Sequence, residues 1–121
     1  MLKRHNPSVK IVAVEPGESS VLLGGTPGPH KIEGVGIGYT PPLWDPGLVD
    51  EIIAVKTEDA KAMTRRLARE EGLFAGTSSG ANVIAAIRVA ERLGPDRTVA
   101  TLMVDSGQKY LSTDVYKKWS S

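Results

Sequence analysis

The chain has 121 residues, room for one ordinary domain with one core, and 40% of them are hydrophobic. Its 15 basic and 14 acidic residues leave a net charge of +1, too even for a nucleic-acid-binding face. With no cysteine and only His5 and His30 as imidazoles, disulfides and thiolate metal sites are excluded and no metal centre is expected. No run approaches the roughly 18 apolar residues of a membrane helix. Residues 1–7 hold no apolar signal core, so the expected location is the cytoplasm and no membrane partner is expected.

In chain order, Lys10-Ile11-Val12-Ala13-Val14-Glu15 is a short β-branched run stopped by Pro16-Gly17, and reads as a buried strand. Residues 16–47 are rich in Gly and Pro. A loop this long inside a compact domain is usually functional. Asp50 to Lys56 is a second strand. Thr57 then reads as an N-cap, with Glu58 and Asp59 favoured in the first turn of a helix over 58–71. Gly72 fits its C-cap. Gly76-Thr77-Ser78-Ser79-Gly80 opens another helix with Val83, Ile84, Ile87, Ala90 and Leu93 as its apolar stripe, and Gly94-Pro95 ends it. Thr98 to Val104, nearly all apolar, reads as a third strand covered on both faces. Residues 113–119 suggest a short terminal helix. The order predicts an α/β fold, a partial three-layer parallel sheet with helical crossovers, in one segment over residues 1–121.

In such sheets ligands bind beyond the strand carboxyl ends, and three loops qualify: 16–47, 76–80 and 105–112. At Val104-Asp105-Ser106-Gly107, strand alternation turns Asp105 and Ser106 to opposite sides. The pattern alone also fits a plain turn. Gly34, Gly36 and Gly38 alternate, which in an extended segment would clear one face for a flat ligand, or would simply mark a flexible loop. It is not the dinucleotide fingerprint, because the spacing differs and Pro41-Pro42 follows instead of a helix. Residues 76–80 resemble an anion-binding helix start, with a Ser N-cap as the plainer reading. A Ser78, His30 and Glu33 triad has no support in the spacing.

Four stretches, in order, resemble the cysteine synthase (O-acetylserine sulfhydrylase) and cystathionine β-synthase family. They are Ile11 to Pro16, Gly28-Pro29-His30-Lys31-Ile32-Glu33-Gly34-Val35-Gly36, Gly76 to Asn82, and Asp105-Ser106-Gly107-Gln108-Lys109-Tyr110-Leu111-Ser112. The resemblance implies part of the large domain of a fold-type II pyridoxal-phosphate enzyme. It implies that Ser106 hydrogen-bonds the cofactor's pyridine nitrogen, and that Gly34 and Gly36 lie in the loop beside cofactor and substrate. A neutral hydroxyl at that nitrogen does not force its protonation, which suits β-elimination and β-replacement. The resemblance also implies a small amino-acid substrate and a homodimer or higher self-association. Ser78 and Ser79 are expected to support the site structurally.

The family's Schiff-base lysine motif, its substrate loop and its phosphate loop have no counterpart here. None of Lys3, Lys10, Lys31, Lys56, Lys61, Lys109, Lys117 and Lys118 has the right context. The chain resembles the C-terminal third to two-fifths of the enzyme and is expected to be inactive alone, with no catalytic residue of its own and no binding of pyridoxal phosphate by itself. Glu33 stands where many bacterial O-acetylserine sulfhydrylases have Gln, and Glu is familiar in cystathionine β-synthases, which leaves branch and sulfur donor open. The alternative from another class is a free-standing, non-catalytic binding or assembly module of the same fold.

Overall fold

The structure, a computed structural model, describes residues 1–117. Two strands form where the β-branched runs predict them: β1, Val12–Pro16, and β2, Glu51–Val55. They pair in parallel, Val14 opposite Ile53. The connection between them is the long Gly/Pro loop and not a helical crossover.

Among the described residues there are four α-helices, α1 (Leu2–His5), α2 (Thr57–Glu71), α3 (Thr77–Leu93) and α4 (Asp114–Lys117), with short 3-10 turns between elements. The terminal helix predicted over 113–119 reaches residues outside the described range. α3 packs against both strands, and α2 packs on α3. The crossing is tight at Gly80, where a Cβ would run into Thr64 Oγ1 and the Ala60 carbonyl. The core is aliphatic, with Ile32, Ile53, Val55, Ala60, Ala81, Ala85 and Val89 buried together. Ile32 brings the Gly-rich loop into that core.

Gly72 ends α2 at φ 67°, the left-handed C-cap read from the sequence. The start of α2 differs from expectation. Thr57 is the first helical residue, and no side chain of the cap position bonds there. Glu18 Oε1 instead accepts from the Thr57 amide at 2.7 Å, while Thr57 Oγ1 accepts from Lys31 N–H at 3.3 Å. Burial works against ionised Glu18, but the Thr57 hydrogen bonds outweigh it and hold its pKa below the ordinary value.

The predicted third strand is corrected. Among the described residues Thr98–Val104 pairs with no strand. A side-chain oxygen and an amide hold it in place of a ladder. Ser79 Oγ accepts from Val104 N–H at 2.9 Å, and Asn82 Nδ2 donates to the Leu102 carbonyl at 3.2 Å. Leu102 is 75% exposed, so this segment is not covered on both faces. Apolar residues make a strand possible, but a ladder needs a neighbour. The α/β class and parallel pairing stand; the three-layer sheet is present only in part.

Candidate functional site

The turn after Val104 is fixed by backbone pairing with residues 74 and 75. Ala75 and Ser106 form an antiparallel bridge, and Gly107 N–H donates to the Phe74 carbonyl at 3.0 Å. A side chain at Gly107 would strike the Phe74 ring. Asp105 turns inward. Its Oδ2 accepts from Tyr110 O–H at 2.5 Å and lies 3.6 Å from Lys109 Nζ. Its Oδ1 is buried without a hydrogen-bond partner among the described residues. The bond to Asp105, then burial, then the charges of Asp105 and Glu33 push the Tyr110 pKa up to about 12. Lys31 reaches Asp114 at 3.9 Å.

Ser106 faces the other way and is exposed. Its Oγ accepts from Gln108 N–H at 3.3 Å, a long bond that leaves the hydroxyl proton for another acceptor. Tyr116 braces the turn from below, with its O–H donating to the Ala75 carbonyl at 2.6 Å and its ring 5.0 Å from that of Phe74.

In the Gly-rich loop the three alternating glycines all have positive φ: Gly34 at 84°, Gly36 at 60° and Gly38 at 87°. The segment is thus a succession of turns and not an extended face, because only glycine enters that region without strain. At Gly36 space is also short, since a Cβ would sit 2.8 Å from His30 Nε2. At Gly34 it would meet nothing. His30 clips the loop. Its Nδ1 accepts from Ile32 N–H at 3.2 Å, so Nε2 carries the proton and donates to the Gly36 carbonyl at 2.8 Å. With both ring nitrogens engaged, His30 has none left for Ser78 or Glu33, and the triad is not assembled.

Gly76, not a serine, caps α3, and no side-chain cap bond forms there. Ser78 and Ser79 are buried, and Ser79 ties the helix start to Val104. Lys61, 3% exposed, is held by Asp114 at 2.7 Å and Glu58 at 3.3 Å. Lys3 pairs with Asp50. Lys118 lies outside the described residues. No group of three or more His, Asp or Glu gathers among the described residues, and no helix there is long and apolar enough to cross a membrane. The Asp105–Tyr110 pair and the His30 clip were not read from the sequence. Neither follows a period; both depend on how a turn closes.

The chain matches the family model for pyridoxal-phosphate dependent enzymes over residues 1–105. It is 47% identical to a cysteine synthase of Staphylococcus aureus (strain N315) over 116 residues, 96% of this chain and 37% of that protein. The solved cysteine synthase of Entamoeba histolytica superposes with a TM-score of 0.89 at 42% identity, covering 96% of this chain and 35% of the other. An O-acetylserine dependent cystathionine β-synthase from Helicobacter pylori superposes with a TM-score of 0.86 at 38% identity, covering 95% and 37%. The chain thus spans little more than a third of the length of the relatives it matches. It belongs to the pyridoxal-phosphate dependent enzyme family, on its cysteine synthase-like side.

Proposed function

We propose that these 121 residues form one α/β unit that supplies one side of a pyridoxal-phosphate site in a cysteine synthase-like enzyme. That enzyme would replace the β-substituent of O-acetylserine, or a similarly activated serine, with sulfide or a thiol. When bound, the cofactor draws electrons from the substrate's α-carbon and lets the β-substituent leave. The observation that carries the reading is Ser106: an exposed, neutral hydroxyl at a braced turn, its proton uncommitted to any bond among the described residues. Such a group fits a pyridine nitrogen. It donates to the nitrogen without holding a proton on it. Asp105, the nearby carboxylate, would do the opposite, and Tyr110 and Lys109 keep it turned away. Gly34 and Gly36 would let the adjoining loop pass close to cofactor and substrate.

The covalent lysine and the phosphate cradle would come from the rest of such an enzyme, so the chain alone is expected neither to bind the cofactor specifically nor to turn over. We place the enzyme in the cytoplasm, as a homodimer acting on a small amino acid. The free-standing module has no feature that favours it, since the family match spans most of the chain. Glu33 leaves the sulfur donor between sulfide and a thiol.

The test is a chimera in which this chain replaces the matching part of the S. aureus cysteine synthase. It should show the visible band of bound cofactor and convert O-acetylserine with sulfide. Ser106→Ala should shift the band and lower turnover at least tenfold. An unchanged band and rate in Ser106→Ala would remove the assignment.

A further inference from the structure

Residues 24–45 lie outside every helix and strand described, yet Gly34, Gly36 and Gly38 within them hold turns of positive φ. Two anchors precede these glycines. Lys31 N–H donates to Thr57 Oγ1 at the start of α2, and Ile32 is fully buried in the core. His30 passes that fixity on. Its ring accepts from Ile32 N–H at 3.2 Å and donates to the Gly36 carbonyl at 2.8 Å, so one imidazole joins the buried anchor to the middle glycine.

The loop is held unevenly. A Cβ at Gly36 would strike Pro16, the last residue of β1, as well as His30 Nε2, whereas a Cβ at Gly34 would meet nothing. Gly36 is therefore seated between the carboxyl end of β1 and the imidazole, and the carboxyl ends of parallel strands are where ligands bind. The two bonds of the ring differ in reach. The Ile32 bond closes a local turn over 2 positions, which an asparagine reproduces as an Asx-turn. The Gly36 bond spans 6 positions and ties down the part of the loop that glycine makes most free.

We propose that His30 is a positioning residue for the substrate side of the site: its Nε2–H, bonded to the Gly36 carbonyl, sets where the Gly34–Gly38 backbone runs and so how tightly a small amino-acid substrate is held. The inference rests on the reading that this loop adjoins cofactor and substrate, and it adds the residue that keeps the loop there.

The test uses three substitutions, in the S. aureus chimera described above and in the isolated chain. His30→Gln can place an amide N–H where Nε2 stood and keep the Gly36 bond. His30→Asn keeps only the Ile32 bond, and His30→Phe keeps a ring and neither bond. In the chimera the KM for O-acetylserine should rise about tenfold in His30→Asn and His30→Phe, roughly the worth of one hydrogen bond, and stay within about twofold in His30→Gln. Binding shared by substrate and transition state affects KM alone, so kcat should stay within about threefold in all three. The visible band of bound cofactor should not move. In the isolated chain, amide NMR should show the Ile37 signal, whose peptide group carries the Gly36 carbonyl, displaced in His30→Asn and His30→Phe and near its wild-type place in His30→Gln.

Equal KM values in His30→Gln and His30→Asn would overturn the inference, because the Gly36 bond would then not be what matters. An unchanged KM in His30→Phe, in a chimera that keeps band and turnover, would overturn it too, as would an Ile37 signal that stays in place in His30→Phe. An unsubstituted chimera with neither band nor turnover would instead remove the reading of the site, and this inference with it.

Discussion

Around the start of α3 the polar groups are largely paired: Ser79 with Val104, Tyr110 with Asp105, Tyr116 with Ala75. Along the same helix, beside β1, Ala85 and Ala86 face an open cavity. The first region closes with bonds wholly among the described residues, between positions 5, 25 and 41 apart. Among the described residues the second stays open beside β1. A turn can therefore be preset beside a sheet edge that stays open among the described residues.

The largest expected effect tests whether the α2–α3 crossing underlies the preset region. Gly80→Val places its branches on Thr64 Oγ1 and the Ala60 carbonyl, and neither can yield without separating the helices. The loss should lie at or above the top of the ~1–3 kcal/mol range for overpacking. A urea midpoint that barely moves would show that the crossing is looser than described.

Next comes the turn itself. Tyr110→Phe removes the hydroxyl that satisfies Asp105 Oδ2, beside an Oδ1 already without a partner. An unsatisfied buried acceptor costs about 1–3 kcal/mol, again read from urea unfolding. The pH dependence has a definite sign. The Tyr110 pKa rises from 10.0 to about 12 on folding, so its contribution is full below pH 10 and fades as pH climbs toward 12. The wild-type chain should lose stability over that interval more steeply than Tyr110→Phe.

The preset region was only partly legible in the sequence. β-branched runs gave both strands, and Gly72 and Gly94-Pro95 gave the helix ends, because those signals are local. Thr57 was misjudged as a cap because the group that satisfies its amide, Glu18, is 39 positions away. Thr98–Val104 carries the composition of a strand, but pairing is a property of two segments. Gly34, Gly36 and Gly38 alternate as a strand face would, yet their positive φ values belong to turns. Periodicity reports which residues could share a face and not which backbone basin they occupy. The opposite facing of Asp105 and Ser106 was legible, because alternation at a strand end needs no distant partner.

A smaller effect is expected at Lys61, which links α2 to the segment after the turn. Lys61→Met keeps the buried stem and loses bonds to Asp114 and Glu58, both well exposed. Water can take over those carboxylates, so the change should stay within ~1 kcal/mol at neutral pH. The hydrogen bond from Lys61 holds the Asp114 carboxyl below its ordinary value of 3.8. A depressed carboxyl stabilises above its unfolded pKa and loses that contribution as pH falls through the folded one. Lys61→Met should therefore flatten the acid limb of the stability profile below about pH 4.

Ser106→Ala should have the smallest effect on folding, and it sharpens the contrast with its neighbour most. Asp105 and Ser106 are adjacent, yet one is partly buried and held by a 2.5 Å bond and the other makes one 3.3 Å bond at the surface. Ser106 caps the 3-10 turn Gly107–Tyr110 through one long bond to the exposed Gln108 amide, which water can replace, so the loss should lie at the low end of the ~0.5–2 kcal/mol range for a lost cap. Asp105→Ala should cost several times more, since Tyr110 O–H would then be left buried. Equal losses at the two positions would mean that the Ser106 hydroxyl is engaged in holding the turn. A near-silent Ser106→Ala in urea unfolding, beside a costly Asp105→Ala, would mean that the hydroxyl contributes little to the fold and is available to a ligand.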